Sequence, residues 1–295
     1  MKLNINGSKG YTGLGDIVTL AWLAQGARNG PDPIVFHRTR NLDLMALFRL
    51  AVDAEPGGIT LEAAYEQELN DRGRLPRLEY LRQFLGLATS WERPPIFLTD
   101  ESLSWADTVV RDIGAPPVLL FPQTAWKPRE WPAANWVDLS WTLKAAGVPV
   151  AVFLQSKDER FLNTPRFWWG ISLERIAALM QRAKLVVGAD SFPAHLAGTI
   201  GTPTLALMGP TRPTIFAHAP NVQCLASRAI DCTGCHFRSP FRAACDQGCQ
   251  SLFRLYPEDV RNVIQQELTR TGSRTDREGL QTTPGESRLS DSRSG

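Results

Sequence analysis

A carboxylate, a hydroxyl and an imidazole follow one apolar run in the second half of the chain. Lys184 to Ala189 ends at Asp190, and Ser191, Pro193 and His195 come directly after it. Proline favours the first turn of a helix, and Asp or Ser favours the position before it, so a helix is predicted to start here. A helix N-terminus at the carboxyl end of a buried strand binds phosphate well. Alternatively, Asp190 and Ser191 only cap this helix and His195 packs in the core.

A second strand end is predicted to lie beside the first. The apolar run Thr204 to Met208 ends at Gly209 and Thr211, and Ala194 lies in the first turn of the intervening helix. Parallel strands separated by one helix present their carboxyl ends to the same edge of a sheet. We therefore expect both segments to bind one phosphorylated ligand.

A loop with a hydroxyl and two cations follows another apolar run. Val118 to Phe121 leads into Thr124, Lys127 and Arg129. Cations and N–H dipoles of such a loop can stabilise the negative charge of a bound phosphate, so no catalytic metal is expected. Solvated surface positions are the commoner location of such cations and remain the alternative.

A glycine-rich turn near the N-terminus ends in a carboxylate. Gly13 and Gly15 flank Leu14, and Asp16 opens an apolar helix. Glycines allow a substrate close to the backbone, and a carboxylate there can act as a general base. Asp16 is therefore the candidate base, although capping of the helix would explain it equally well.

Four cysteines lie close together near the C-terminus. Cys232, Cys235, Cys245 and Cys249 fall within 18 residues, and the first pair has the CxxC spacing. Four thiolates suit tetrahedral zinc or iron, and a fully coordinated ion leaves no open position, so we expect a structural site. Four unmetallated cysteines are the alternative. A nucleic-acid-binding ribbon has little support, because 32 basic and 30 acidic residues leave a net charge of only +2.

Strand-like and helix-like patterns alternate along the chain, which predicts an α/β protein with parallel sheets. The second half is expected to contain βαβαβ, whereas the first half has helical patterns but poorly marked strands. The predicted strands are Pro33 to Phe36, Pro117 to Phe121, Pro149 to Leu154, Leu185 to Gly188 and Thr204 to Met208. The predicted helices are Asp16 to Ala27, Leu42 to Val52, Leu75 to Leu87, Ala133 to Ala146 and Ser172 to Ala183.

The length of 295 residues is typical of two domains. Gly114 to Pro117 is the predicted boundary, which gives domains 1–116 and 117–270, and the polar tail 271–295 is expected to be disordered. No apolar stretch is long enough for a signal peptide or a transmembrane helix, so a cytoplasmic protein with reduced thiols is expected.

Several of these motifs together resemble glycosyltransferase family 9, the heptosyltransferases. Asp190 to Ala197 and Gly209-Pro210-Thr211 resemble its C-terminal signature, with Phe192-Pro193 in place of a Gly-x pair. Further resemblance is found in Gly13 to Asp16, in Val118 to Pro132, in Asn135-Trp136 and in Gly170-Ile171-Ser172-Leu173.

This resemblance implies a GT-B fold, in which two Rossmann-like domains face a cleft, here with a reduced N-terminal domain. It implies inverting transfer of a heptose or related sugar from a nucleotide diphosphate donor, ADP-heptose, to a glycan, lipid-linked core or protein hydroxyl. Asp16 would be the base, with Arg129 or alternatively Lys127 as the catalytic cation. The implied donor-binding residues are Thr124, Asp190, Ser191, Ala194, His195, Gly209 and Thr211.

A subgroup of the family glycosylates autotransporter proteins and resembles this chain in binding iron at cysteines of this region. A catalytically impaired sugar-nucleotide-binding protein with a structural metal is the alternative function. The short first half and the altered turn at Phe192-Pro193 favour that alternative.

Overall fold

The computed structural model describes residues 1–5, 13–28, 33–37, 40–53, 55, 57–87, 92–228, 232–237 and 248–279, and only the backbone of 271–279. Two parallel β-sheets with flanking helices are found in these residues, which confirms the predicted α/β class. In this part of the chain, no helix combines the length and the apolar character needed to cross a bilayer.

The first sheet has three parallel strands in the order β1-β2-β3. Leu3 and Phe36 on neighbouring strands are fully buried. The strands are β1 Lys2–Asn4, β2 Val35–His37 and β3 Ala51–Asp53, and the helices of this half are α1 Leu14–Ala27, α2 Leu42–Leu47, α3 Glu62–Asn70 and α4 Arg77–Phe84.

The second sheet has six parallel strands in the order β6-β5-β4-β7-β8-β9. The chain builds outward from β4 in one direction and then, from β7, in the other. The strands are β4 Val118–Phe121, β5 Val150–Leu154, β6 Phe167–Trp169, β7 Leu185–Ala189, β8 Thr204–Leu207 and β9 Val222–Leu225. The helices are α5 Asp100–Ile113, α6 Ala133–Ala145, α7 Leu173–Arg182, α8 Phe192–Ile200, α9 Gln250–Phe253 and α10 Pro257–Gly279.

Side chains of β4 alternate between two cores, as the period of a strand requires. Leu119 and Phe121 belong to a cluster that continues through α1 and α8 to the first sheet. Val118 and Leu120 face the opposite cluster, which contains α6 and α10. The two sheets therefore share one apolar core.

All five predicted strands are confirmed to within two residues, and so is the βαβαβ order of the second half. The helix predicted from Leu42 to Val52 is wrong beyond Leu47. Arg49 has φ 48°, a left-handed conformation that ends the helix, and Ala51–Asp53 then pairs with β2. Apolar residues at helical spacing continue past this point, so the pattern alone could not locate the break.

Gly114, in the predicted boundary segment, ends α5 with φ 99°. However, α5 precedes this position and packs against α7 of the second sheet. Arg182 Nε donates to Asp107 Oδ1 at 2.7 Å across that contact. The packing therefore associates α5 with the second sheet.

The prediction that the tail 271–295 is disordered is wrong for residues 271–279, because these residues continue α10 to Gly279. A helix that is already formed and packed can extend by single residues at little cost, since nucleation is the expensive step. Residues 280–295 lie outside the described part of the chain.

Candidate active site

The strand order of the second sheet reverses between β4 and β7. Phe121 and Gly188 pair near the carboxyl ends of these strands, and the loops that follow carry Thr124 and Ser191. Loops that diverge at such a reversal leave a crevice above the sheet, where α/β proteins bind ligands.

A cavity of about 460 Å³ occupies this crevice and extends to the first half of the chain. Its wall includes Gly15, Asp16 and Arg77 from the first half. The second half contributes Thr124, Arg129, Ser191 and His195, with an apolar side made by Phe121, Phe153 and Ile176. This volume is typical of small-molecule sites.

The N-terminus of α8 faces the cavity with unsatisfied polar atoms. Ser191 is the N-cap residue, but its hydroxyl makes no capping bond. Within the described residues, Ser191 Oγ and His195 Nδ1 are buried without a hydrogen-bond partner. Pro193 carries no N–H, so Phe192 and Ser191 carry the binding capacity of this turn.

Asp190 lies beneath that turn and is 1% exposed. It accepts a hydrogen bond from the Thr211 hydroxyl, and its carboxylate oxygens lie 3.4 Å from Arg129 Nε and 3.6 Å from His195 Nε2. Burial opposes ionisation, but the Arg129 charge and the His195 and Thr211 contacts outweigh it and lower the pKa of Asp190. Asp190 is thus a buried anion that holds Arg129 and His195 at the cavity wall.

The loop after β4 carries Arg129 into the cavity wall, within the 3-10 turn Lys127–Arg129. Its guanidinium lies 5.1 Å from the ring of Trp126. Thr124 Oγ1 lines the cavity and accepts from Trp126 N at 2.9 Å, which fixes the turn. Lys127 is exposed and is not part of the wall.

Asp16 enters the cavity from the first turn of α1. Its Oδ2 accepts from Gly13 N at 2.9 Å, and its Oδ1 accepts from Arg77 Nη1 at 2.6 Å. Arg77 Nε also donates to both carboxylate oxygens of Glu68, at 3.1 and 3.0 Å. The candidate base is therefore fixed at both oxygens.

Three of the predicted donor-binding residues lie behind the wall. Ala194 is fully buried and packs with Phe216, and Thr211 is fully buried against Asp190. A Cβ on Gly209 would lie 2.9 Å from Leu252 Cδ1, so glycine here allows close packing beneath β8. These residues support the binding surface from behind.

The cysteine segment packs beside this support. Cys235 N donates to Cys232 O at 3.1 Å, and Cys235 and Cys249 are buried. Among the residues that the structure describes, no three His, Cys, Asp or Glu side chains are grouped so that they could hold a metal ion. The three described thiols therefore do not form a metal centre by themselves. The fourth cysteine of the predicted site, Cys245, lies outside the described residues.

Sequence reasoning missed Arg77, Glu68 and the apolar wall at Phe153 and Ile176. Nothing in the sequence distinguishes Arg77 from Arg82, the other arginine of α4, because the partners of Arg77 come from α1 and α3. Phe153 follows the strand pattern of β5 and was expected only as core.

The described geometry agrees with a comparison with protein families. Residues 77–240 match the model of glycosyltransferase family 9 (heptosyltransferase). The chain belongs to glycosyltransferase family 9. Lipopolysaccharide heptosyltransferase 1 of Pseudomonas aeruginosa is 28% identical over 144 residues, which cover 46% of this chain and 40% of that protein. The aligned part of the chain therefore spans less than half of the length of this relative.

Solved structures of glycosyltransferases share the fold. The family 9 glycosyltransferase of Veillonella parvula superposes with a TM-score of 0.64 at 16% identity, covering 91% of this chain and 97% of that one. TibC of enterotoxigenic Escherichia coli, an iron-containing dodecameric glycosyltransferase, superposes with a TM-score of 0.68 at 14% identity. This superposition covers 91% of this chain and 78% of TibC. TibC has also been solved in complex with ADP-D-β-D-heptose.

Proposed function

We propose that this family 9 chain transfers a heptose or related sugar from a nucleotide diphosphate donor to a hydroxyl group, with inversion at the anomeric carbon. One observation carries the proposal: a single cavity joins Asp16 of the first half to Thr124, Arg129 and Ser191 of the second. A carboxylate on one side and phosphate-binding groups on the other are the two requirements of such a transfer.

On the donor side, the diphosphate is proposed to lie against the N-terminus of α8. Ser191 Oγ and Phe192 N–H would donate to its oxygens, and the Arg129 guanidinium would offset its charge. Arg129 is held by the buried anion Asp190 and by Trp126, so little reorganisation is needed when the diphosphate leaves.

On the acceptor side, Asp16 is proposed as the base. It takes the proton from the acceptor hydroxyl as that oxygen attacks the anomeric carbon. The bond from that carbon to the diphosphate breaks, and the nucleoside diphosphate leaves on the opposite face. A single displacement of this kind inverts the configuration. Gly13 and Gly15 line the same cavity beside Asp16, where the acceptor is proposed to enter.

The proposed donor is supported by the ligands of similar proteins. ADP-heptose is the proposed donor, because two structurally similar proteins, TibC and heptosyltransferase WaaC of E. coli, have been solved with ADP-heptose or an analogue. The proposed acceptor is a glycan, a lipid-linked core or a protein hydroxyl. GT-B architecture with two facing domains, the first one reduced, is part of the same proposal, since the cavity lies between elements of the two sheets.

The direct experiment incubates the purified chain with ADP-heptose and a heptose-free lipopolysaccharide acceptor. Sugar incorporation is followed by mass spectrometry, and the anomeric configuration of the product is determined by NMR. Transfer with inversion is expected. Retention would contradict the single displacement. Thermal stabilisation by ADP without transfer to any acceptor would instead favour the catalytically impaired binding protein, and absence of both would contradict the donor assignment.

A structural zinc or iron at Cys232, Cys235, Cys245 and Cys249 stays a separate proposal. The CxxC spacing and the iron in TibC support it, whereas the grouping of the described thiols does not. Elemental analysis of the purified protein tests it. The expected result is one zinc or iron per chain, lost in Cys232→Ser/Cys235→Ser.

A further inference from the structure

We propose that Arg77 is a positioning residue for the transfer reaction: it holds the Asp16 carboxylate at the cavity, while Glu68 holds Arg77. The three side chains come from three different helices, α1, α3 and α4. The role in turnover rests on the proposed function, whereas the effect on Asp16 does not.

The contacts fix the plane of the Asp16 carboxylate. Arg77 Nη1 bonds Oδ1 at 2.6 Å, and Gly13 N bonds Oδ2 at 2.9 Å. With one donor at each oxygen, the carboxylate cannot rotate without losing a bond. A base held in this way presents the same lone pairs to each acceptor that enters the cavity.

Arg77 itself is held more firmly than a surface arginine. Its side chain is 7% exposed, and its Nε donates to both oxygens of Glu68, which is 2% exposed. It is also the first residue of α4 and forms part of the cavity wall. Lysine could not reproduce this arrangement, because its single ammonium lacks the planar fork that reaches two carboxylates at fixed angles.

Stability alone is a poor explanation for this cluster. Two charged side chains buried together often contribute no more than apolar residues of the same volume, because desolvation offsets their attraction. Since the cluster adds little stability but borders the candidate base, its role is better explained by the orientation that it gives to the Asp16 carboxylate.

The first experiment measures the orientation of Asp16 without turnover. Hydrogen exchange of the first turn of α1 is compared in wild type, Glu68→Gln/Arg77→Met and Arg82→Met. The double variant replaces both charges of the Glu68–Arg77 pair, and Asp16 keeps its bond from Gly13 N, so the variant is expected to fold. Arg82→Met is the matched control, since Arg82 pairs with Glu79 on the same helix. Faster exchange at the Asp16 turn is expected in the double variant only, and exchange equal to wild type would overturn the proposal.

The second experiment measures turnover. Arg77→Lys and the double variant are expected to lower kcat by about 100-fold, the scale of a misplaced catalytic group. KM for donor and acceptor should stay within about threefold of the wild-type value, since the contacts that bind the substrates before reaction are unchanged. In an Asp16→Asn background the double variant should cause no further loss. A raised KM with unchanged kcat, or an independent loss in that background, would show that Arg77 binds substrate directly. If wild type transfers no sugar, the proposed function fails, and hydrogen exchange still decides the position of Asp16.

Discussion

Gly15 lies against the ring of His195. A Cβ on Gly15 would lie 2.9 Å from His195 Cδ2, closer than side chains approach one another. The ring cannot retreat, because it stacks on Phe216 with centroids 4.4 Å apart and is 5% exposed. The missing side chain at Gly15 therefore lets α1 bring Asp16 beside the N-terminus of α8.

Gly15→Ala is expected to separate these two helices despite the better helix propensity of alanine. Overpacking at a buried contact costs about 1–3 kcal/mol of the free energy of unfolding. Both urea denaturation and transfer activity should show the loss. Gly188→Ala is the matched control, since its Cβ would lie 3.6 Å from Phe121, an ordinary contact. Equal behaviour of the two variants would mean that the contact of Gly15 with His195 is adjustable.

Asp16→Asn removes the proposed base and keeps the shape of the side chain. We expect kcat to fall about 100-fold or more, the usual contribution of general base catalysis. ADP binding, measured by calorimetry, should be unchanged, because the donor groups lie on the other half. Asp43→Asn makes the same change in the exposed first turn of α2 and should be neutral. Unchanged turnover in Asp16→Asn would exclude Asp16 as the base.

Local patterns predicted the four central strands of the second sheet because these strands are buried on both faces, whereas the more exposed edge strands β6 and β9 were missed. β4, β5, β7 and β8 are continuous apolar runs, and Gly201 ends α8 in the left-handed conformation that glycine favours. The motif residues Asp16, Thr124, Arg129, Ser191 and His195 could be recognised because each follows a strand or opens a helix.

The remaining site depends on contacts between distant segments. Arg77 donates to Asp16, which lies 61 residues away in the sequence. Trp22 Nε1 donates to Thr199 Oγ1, which lies 177 residues away. No periodicity in one helix reveals a partner on another. The short strands β1 and β3, of three residues each, lack enough length for a pattern and were missed for that reason.

Thr211→Val tests whether the buried anion Asp190 depends on the hydroxyl that bonds it. Valine has nearly the same shape but leaves one carboxylate oxygen without its donor. A loss of about 1–3 kcal/mol in the free energy of unfolding is expected, since both residues are buried. Thr108→Val at an exposed position should change it by less than about 0.5 kcal/mol. A neutral Thr211→Val would show that Arg129 and His195 suffice to hold Asp190.

Acid should destabilise the fold through His218. This side chain is 4% exposed and lies edge-on to Trp22, with ring centroids 5.0 Å apart. Within the described residues neither ring nitrogen has a hydrogen-bond partner. Burial, together with the nearby His195, lowers the pKa of His218 to about 3.

The sign of the effect follows from this direction. The unfolded chain protonates His218 near its ordinary pKa of about 6.5, whereas the folded chain resists protonation down to about 3. The stabilisation is therefore complete above about pH 6.5 and is lost as the pH falls towards 3, by up to about 1.4 kcal/mol per pH unit. His236, whose pKa burial and the charges of Arg129 and Arg77 lower to about 4, adds to the same loss.

His218→Leu isolates the first contribution. The free energy of unfolding, measured in urea at pH 8, 6 and 5, should fall less steeply with decreasing pH in the variant than in wild type. The difference in slope should approach that of one proton taken up on unfolding. Some loss should remain, because His236 still binds a proton on unfolding. Parallel curves for the two proteins would mean that His218 becomes hydrated and protonated in the folded state, and the contact of its ring with Trp22 would then have to open in acid.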